Sequence, residues 1–229
     1  IGSGLVGSEM CIRDRVTTNT SKINDEIETG VYFEEFAVPY LTFEATGYDI
    51  TVASPNGGVS PVDPDSYSCS SPMEWDKTKK HLDDTKKLSD VNLDEFDVIF
   101  FPGGHGPMFD IAIDESVAKA VEHFYNRHKI IAAVCHGPAG LIQARTPDGD
   151  PIVRGRKVTS FTDKEEEIVK RVEFMPFLLQ DKLKKLGAEF IAEKPWAEHV
   201  VVDKNIITGQ NQNSALKIAE AVIKKLSEH

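Results

Sequence analysis

The stretch Ile130-Ile131-Ala132-Ala133-Val134-Cys135-His136-Gly137-Pro138-Ala139-Gly140 decides how this chain is read. Its short apolar run reads as a buried strand. The small residues and the proline after it read as a tight turn opening a helix. A cysteine at that junction meets two needs of a nucleophile. The turn lifts the sulfur out of the sheet. The free N–H groups and positive dipole end of a helix favour the thiolate, which is the reactive form. The competing reading is an inert core cysteine, the commonest fate of a free thiol.

Working outward, strands alternate with helices. Residues 97–101 (Asp97-Val98-Ile99-Phe100-Phe101) form a buried strand, closed by Pro102-Gly103-Gly104-His105-Gly106-Pro107. Before it, Thr29-Gly30 opens a helix with apolar positions at Val31, Phe33, Phe36, Ala37, Tyr40, Leu41 and Phe43. Pro39 is predicted to kink or interrupt that helix, and Gly47 to end it. Residues 48–53 read as a strand and residues 54–71 as loop. Residues 73–94 are charged and read as a surface helix with its connection. Residues 115–127 are an amphipathic helix. Residues 157–160 read as a short strand, and 165–186 as a helix broken near Pro176. Residues 190–192, 199–202 and 206–208 read as late strands before a helix at 213–226. This alternation predicts an α/β fold with a mostly parallel sheet covered on both faces. In such sheets ligands bind beyond the carboxyl ends of the strands. Gly103-Gly104-His105 and Cys135-His136 both lie at such ends.

The 229 residues suffice for one large domain. Mean hydropathy of −0.29 is ordinary for a water-soluble protein, and no apolar stretch approaches the ~20 residues that cross a bilayer. A net charge of −11 argues against nucleic acid or an anionic membrane surface as partner. Cys11, Cys69 and Cys135 have no paired spacing, which fits a reducing, cytoplasmic setting.

Residues 1–15 look foreign to the domain at 16–229. Leu5-Val6-Gly7-Ser8-Glu9-Met10-Cys11-Ile12-Arg13-Asp14-Arg15 resembles one reading frame of a transposase-based sequencing adapter. The segment holds two basic and two acidic residues, so the net charge is the same without it. On this reading Val16-Thr17-Thr18 is the remnant of the first strand. Such a strand is usually central, so charged residues at its start would be buried at a cost.

Several residues could carry chemistry. Glycines at Gly103 and Gly104 let a backbone approach a ligand, and consecutive N–H groups there could hold an oxyanion. An ordinary strand-to-helix turn uses glycine as well. His136 is a general base or only a polar first-turn residue. Glu34, Glu35 and Glu165-Glu166-Glu167 sit at helix starts, where acidic residues usually face solvent. His105, His123 and His128 do not make a convincing ligand set, so no metal is expected. Cys69, in a serine-rich loop, reads as incidental.

Four segments together resemble the ThiJ/PfpI superfamily, in the branch of stress chaperones and glutathione-independent glyoxalases. They are Thr29-Gly30-Val31-Tyr32-Phe33-Glu34-Glu35-Phe36-Ala37-Val38-Pro39-Tyr40, Phe101-Pro102-Gly103-Gly104-His105-Gly106-Pro107-Met108-Phe109-Asp110, Ala132-Ala133-Val134-Cys135-His136-Gly137-Pro138-Ala139, and Thr159-Ser160-Phe161-Thr162-Asp163-Lys164-Glu165-Glu166. Pro195-Trp196 and Thr208-Gly209-Gln210-Asn211 resemble it too. Gln212 stands where a proline is common, and the start of the first strand departs from the pattern. The resemblance implies a flavodoxin-like three-layer α/β/α sandwich related to class I glutamine amidotransferases. Cys135 would be the elbow nucleophile, with His136 and Glu166 completing a triad-like arrangement. Glu35 would be the carboxyl contacting the sulfur, and in its protonated form would lower the Cys135 pKa. Gly104 and His136 N–H groups would form the oxyanion site, with Gly103 and His105 beside the substrate.

The function so implied is a cofactor-independent glyoxalase of the glyoxalase III (D-lactate dehydratase) lyase type. It would turn a small 2-oxoaldehyde, methylglyoxal, into lactate through a Cys135 hemithioacetal, with deglycation as a side activity. Either Glu35 or His136 could be the base, and the residues do not fix the product's stereochemistry. Two rivals stand beside it: a Cys-His-Glu peptidase or amidase, and a redox-sensing holdase chaperone in which Cys135 is oxidised. The peptidase needs an open groove, whereas residues 54–94 read as enclosing the site. The holdase needs wide apolar patches. A homodimer is expected from the resemblance.

Overall fold

Residues 98–101 and 130–134 alternate between two buried faces. Val98, Phe100, Ile130, Ala132 and Val134 join one apolar cluster, while Ile99, Phe101, Ile131 and Ala133 join another. Strands buried on both faces read as unbroken apolar runs, which is why both were visible in the sequence. The computed structural model describes residues 15–228.

The strands are β1 (Arg15–Val16), β2 (Val52–Ser54), β3 (Lys86–Lys87), β4 (Val98–Phe101), β5 (Ile130–Val134), β6 (Lys157–Val158), β7 (Glu189–Phe190), β8 (Val200–Asp203) and β9 (Ile206–Gly209). Seven form one sheet in the order β3-β2-β1-β4-β5-β9-β8, parallel except for the β8–β9 pair. β6 and β7 pair separately. The α-helices are α1 (Phe33–Ala45), α2 (Met73–Lys79), α3 (Glu115–Asn126), α4 (Asp163–Ile168), α5 (Leu179–Lys185) and α6 (Ala215–Leu226). α3 packs Val117, Ala120, Val121 and Phe124 on one face of the sheet. α6 packs Ile218, Ala219 and Val222 on the other, alongside Phe43 of α1. This is the expected three-layer α/β/α sandwich with a mostly parallel sheet. Among the described residues no helix is long and apolar enough to cross a membrane.

Local readings differ in four places. α1 begins at Phe33 rather than at Thr29-Gly30, and it runs through Pro39 without interruption. Complete burial of Phe33, Phe36 and Phe43 outweighs the roughly 3 kcal/mol cost of an internal proline. The strand read at 48–53 shrinks to Val52–Ser54. Within residues 73–94 lies an unforeseen strand, β3, whose two exposed lysines suit a sheet edge. The helix read over 165–186 is two helices, broken from Val169 to Leu178 rather than only near Pro176.

β1 is central, between β2 and β4, as expected for a first strand. Residues 1–14 of the adapter-like segment lie outside the described residues. Arg15 does not. It pairs in register with Val52 and Phe100 and is only 1% exposed. Its guanidinium lies 5.1–5.3 Å from the ring centroids of Phe36, Tyr40, Phe43 and Phe100. Nη1 donates to the Phe36 carbonyl, but Nε and Nη2 have no partner among the described residues. Burial pulls the Arg15 pKa down from 12.5 to about 9. The unfolded chain therefore holds this proton more tightly, and the penalty is full at every pH below about 9. Arg15→Leu is expected to stabilise the fold by roughly 2–4 kcal/mol at neutral pH, raising Tm by ~5–10 °C. Calorimetry of the two proteins at pH 7 checks this; an unchanged or lower Tm refutes it.

Candidate active site

β5 delivers Cys135 to the carboxyl edge of the sheet. Its N–H donates to Gly209 O at 3.0 Å, and its carbonyl accepts from Phe161 N–H at 2.8 Å. Pinned on both sides, Cys135 adopts φ +59°, a left-handed conformation that a cysteine rarely takes. The strain turns its side chain out of the sheet. The turn reads as the sequence suggested, but the α-helix expected after it is a 3₁₀ helix, Gly137–Leu141. So short an element supplies little of the dipole that was expected to favour the thiolate.

The compensating groups come from elsewhere. Glu35 lies in the first turn of α1 and is fully buried. Its Oε2 accepts the Gly103 N–H at 2.7 Å. A Cβ on Gly103 would stand 2.6 Å from that oxygen and 2.8 Å from Cys135 Cβ, so only glycine fits. Gly104 has φ +93°, and a Cβ there would stand 2.2 Å from Gly30 O. These glycines let the end of β4 touch both Glu35 and Cys135. Two groups act on the sulfur electrostatically: the Gly104 N–H favours its ionisation, and the Glu35 carboxyl opposes it. Gly103 differs from the expected donor role, because its N–H is already taken by Glu35.

On the other side, His136 Nδ1 lies 3.4 Å from Cys135 Sγ, and its Nε2 lies 2.7 Å from Glu166 Oε2. The second Glu166 oxygen meets His105 Nε2, also at 2.7 Å. The two imidazoles pack 4.4 Å apart. The structure thus brings Cys135, His136, Glu166, Glu35 and His105 together. His123 and His128 are elsewhere. His105, His136 and Glu166 are also the group among the described residues that could hold a metal ion, with ligand atoms within 4.8 Å of one another. Hydrogen bonds within the group already occupy both Nε2 atoms and both carboxyl oxygens.

A cavity of about 200 Å³ opens onto Cys135 and His136. Tyr32, Phe161 and Trp196 wall it, and Asp63 and Asp65 from the 54–71 loop reach it. That loop helps enclose the site as expected. Arg171 lies across the mouth, 3.7 Å from Asp65.

Residues 26–225 match the DJ-1/PfpI family over most of the chain. The chain belongs to the DJ-1/PfpI family. It is 32% identical to "Glyoxalase 3" of Candida albicans, over 90% of this chain and 93% of that protein. It is 30% identical to "Glutathione-independent glyoxalase HSP31" of Saccharomyces cerevisiae, over 84% of this chain and 87% of that one. Among solved structures it superposes on glyoxalase III from Candida albicans with a TM-score of 0.87 at 30% identity, covering 96% of this chain and 98% of that one. It superposes on the Rapid Encystment Protein 24 KDa of Francisella tularensis with a TM-score of 0.90 at 33% identity, covering 95% and 99%.

Protonation in this DJ-1/PfpI site is set by the contacts. Burial would raise Glu166, but its electrostatic contact with His136 and hydrogen bonds from both imidazoles outweigh it and hold the carboxyl well below its usual range. A carboxylate only accepts, so both histidines carry N–H at Nε2. Burial, with His105 beside it, lowers His136 and keeps it neutral. Its Nδ1 lone pair therefore faces the Cys135 sulfur. Burial also pushes Glu35 up to about 8. Oε2 is engaged with Gly103, so the carboxyl proton belongs on Oε1, which has no hydrogen-bond partner among the described residues. Cys135 itself is not lowered overall. Burial pushes its thiol up, and an ionised Glu35 pushes it further. At neutral pH a protonated Glu35 removes that second penalty.

Two residue types escaped the sequence reading. Glu165 looks like part of a solvated helix start but is fully buried, beside Glu166, which the family resemblance alone had singled out. Tyr32, Asp63 and Arg171 line the cavity from loops whose composition carries no signal of it.

Glu35 has a checkable consequence for stability. Its folded pKa of about 8 exceeds the ordinary 4.5, so the folded state holds the proton more tightly. The neutral carboxyl stabilises the fold below about pH 5, and this advantage is lost as pH rises through 8. Glu35→Gln has no proton to lose. Wild type is expected to fall in stability relative to Glu35→Gln by up to ~1.4 kcal/mol per pH unit across that window. Parallel Tm-versus-pH curves for the two proteins would refute the assignment.

Proposed function

We propose that this protein is a glutathione-independent glyoxalase that converts methylglyoxal to lactate at Cys135. The observation that carries the reading is the fully buried Glu35 carboxyl beside the Cys135 elbow, with Oε2 held by the Gly103 N–H and Oε1 left to carry a proton. A nucleophile and a mobile proton are what an internal oxidation–reduction between adjacent carbons needs.

The thiolate adds to the aldehyde carbon, and the carbonyl oxygen takes the Glu35 proton, giving a hemithioacetal and leaving Glu35 ionised. His136 Nδ1 accepts the thiol proton when the thiol form enters. The Gly104 N–H then stabilises the developing oxyanion. Ionised Glu35 then removes the C1 hydrogen as a proton, and the electron pair forms an enediolate. The same proton returns to C2, and the O1 hydroxyl proton passes to the C2 oxygen. C1 has been oxidised and C2 reduced, and the enzyme holds a lactoyl thioester. Water cleaves the C–S bond, releasing lactate and regenerating the thiol. The family likeness extends the proposal to the D-enantiomer, to a homodimer and to a cytoplasmic location. A cavity of about 200 Å³ suits a three-carbon aldehyde better than the groove a peptide requires.

The test is lactate formation from methylglyoxal without glutathione, with chiral analysis of the product. Wild type is expected to form D-lactate, and Cys135→Ser none. Glu35→Gln keeps a donor for the thiolate but cannot move a proton, so it is expected to retain iodoacetamide reactivity while losing about 10²–10⁴-fold in lactate production. Wild-type turnover by Glu35→Gln would move the base to His136. A folded wild type that forms no lactate overturns the function.

A further inference from the structure

We propose that Glu165 is a positioning residue that locks the Trp196 loop and the start of α4 onto the catalytic group. Glu165 closes a capping box at α4, where Oε2 accepts from Thr162 N–H at 2.9 Å and Thr162 Oγ1 at 2.7 Å. A capping box needs only that oxygen. The other oxygen would ordinarily face water, yet Glu165 is fully buried. Oε1 accepts from three further groups: Trp196 N–H at 2.9 Å, Gln210 Nε2 at 3.1 Å and Asn211 Nδ2 at 2.8 Å.

Three separate chain segments thus converge on one carboxylate. The Trp196 loop cannot hold itself. Trp196 sits at φ +65°, a conformation costly for a bulky side chain, and so depends on its surroundings. Asn211 also donates to Ala197 O at 3.0 Å, binding the same loop from its other side. From Trp196 the contact runs inward. Its ring lies 5.7 Å from that of Phe161, and Phe161 lies 4.6 Å from the His136 ring. Glu166, the next residue of α4, bridges His136 and His105. Glu165 therefore anchors two walls of the site, the aromatic one over His136 and the acidic one behind it. It touches neither the sulfur nor the cavity contents. This gives a role to Pro195-Trp196 and Gly209-Gln210-Asn211, which the catalytic steps leave unused.

Glu165→Gln tests it. Whichever way the new amide turns, its NH₂ group faces donors, so one cluster of hydrogen bonds must break. In a Trp75→Phe background Trp196 is the sole tryptophan. Glu165→Gln is expected to red-shift its emission and increase acrylamide quenching. In a background lacking Cys11 and Cys69, the pH profile of Cys135 alkylation by iodoacetamide is expected to shift. Lactate production, which rests on the function proposed above, should fall on the order of tenfold in kcat with little change in KM, short of the roughly hundredfold that 1 Å of misplacement costs. Asn211→Ala removes one donor from the same oxygen and should show the same changes to a smaller degree. Unchanged Trp196 emission and an unchanged alkylation profile in folded Glu165→Gln overturn the proposal. If Glu165→Gln does not fold, the same null result in Asn211→Ala overturns it. Absence of lactate from wild type would defeat the glyoxalase reading alone, since the tryptophan and thiol readouts still judge Glu165.

Discussion

A carboxyl and a thiol buried against each other, with too little solvent to charge both, set the terms for the rest of the site. Glu35 and Cys135 come from distant parts of the chain, one from the first turn of α1 and one from the end of β5. They meet only because Gly103 has no side chain to separate them. Burial raises both groups, so ionising either is costly and ionising both is more so. The pair therefore shares protons. That is a poor arrangement for a permanently ionised nucleophile, and a good one for a reaction that must move one proton on and off carbon.

The sheet order explains how the partners arrive. β1, β4, β5 and β9 are adjacent and parallel, so their carboxyl ends form one edge. The Gly103-Gly104-His105 turn comes after β4, Cys135 after β5, and Gln210-Asn211 after β9. The late segments add the acidic wall, Glu165 and Glu166 of α4. The strained elbow at Cys135 is held by backbone bonds to Gly209 and Phe161, which belong to the two segments that carry Asn211 and Glu166. Nucleophile, base and supporting carboxylates are thus parts of one hydrogen-bonded edge.

The legibility of each feature in the sequence depends on the physics of its signal. The doubly buried β4 and β5 announce themselves as apolar runs. Cys135 is marked by its junction of strand, small residues and proline. Composition cannot tell a solvated carboxylate from a buried one, because the difference lies in partners far along the chain. Glu35 needs Gly103, 68 residues away, and Glu166 needs His105, 61 residues away. Only the resemblance pointed to Glu35 and Glu166, and it left Glu165 with the solvated reading. Pro39 misleads for a related reason: local propensity penalises it, and the buried aromatics of α1 override that penalty. The short 3₁₀ turn after Cys135 shows the same limit, since its glycines and proline open a turn without specifying the type of helix.

The buried charges of this protein are best understood by how each is compensated. Glu166 is answered by two imidazoles, and Glu165 by five donors. Both oxygens of each are occupied by hydrogen bonds, so both are suited to holding other groups in place. Glu35 is answered by one backbone N–H on Oε2, which leaves Oε1 for a proton. It is the carboxyl whose incomplete compensation is useful. Arg15 is incompletely compensated too, with aromatic faces around it and two nitrogens unpaired. Among the described residues its guanidinium meets aromatic rings and no nucleophile, so its cost brings no chemistry. The contrast separates two kinds of strain in one fold. At Glu35 the unsatisfied atom faces the reacting sulfur, and at Arg15 it faces only the core.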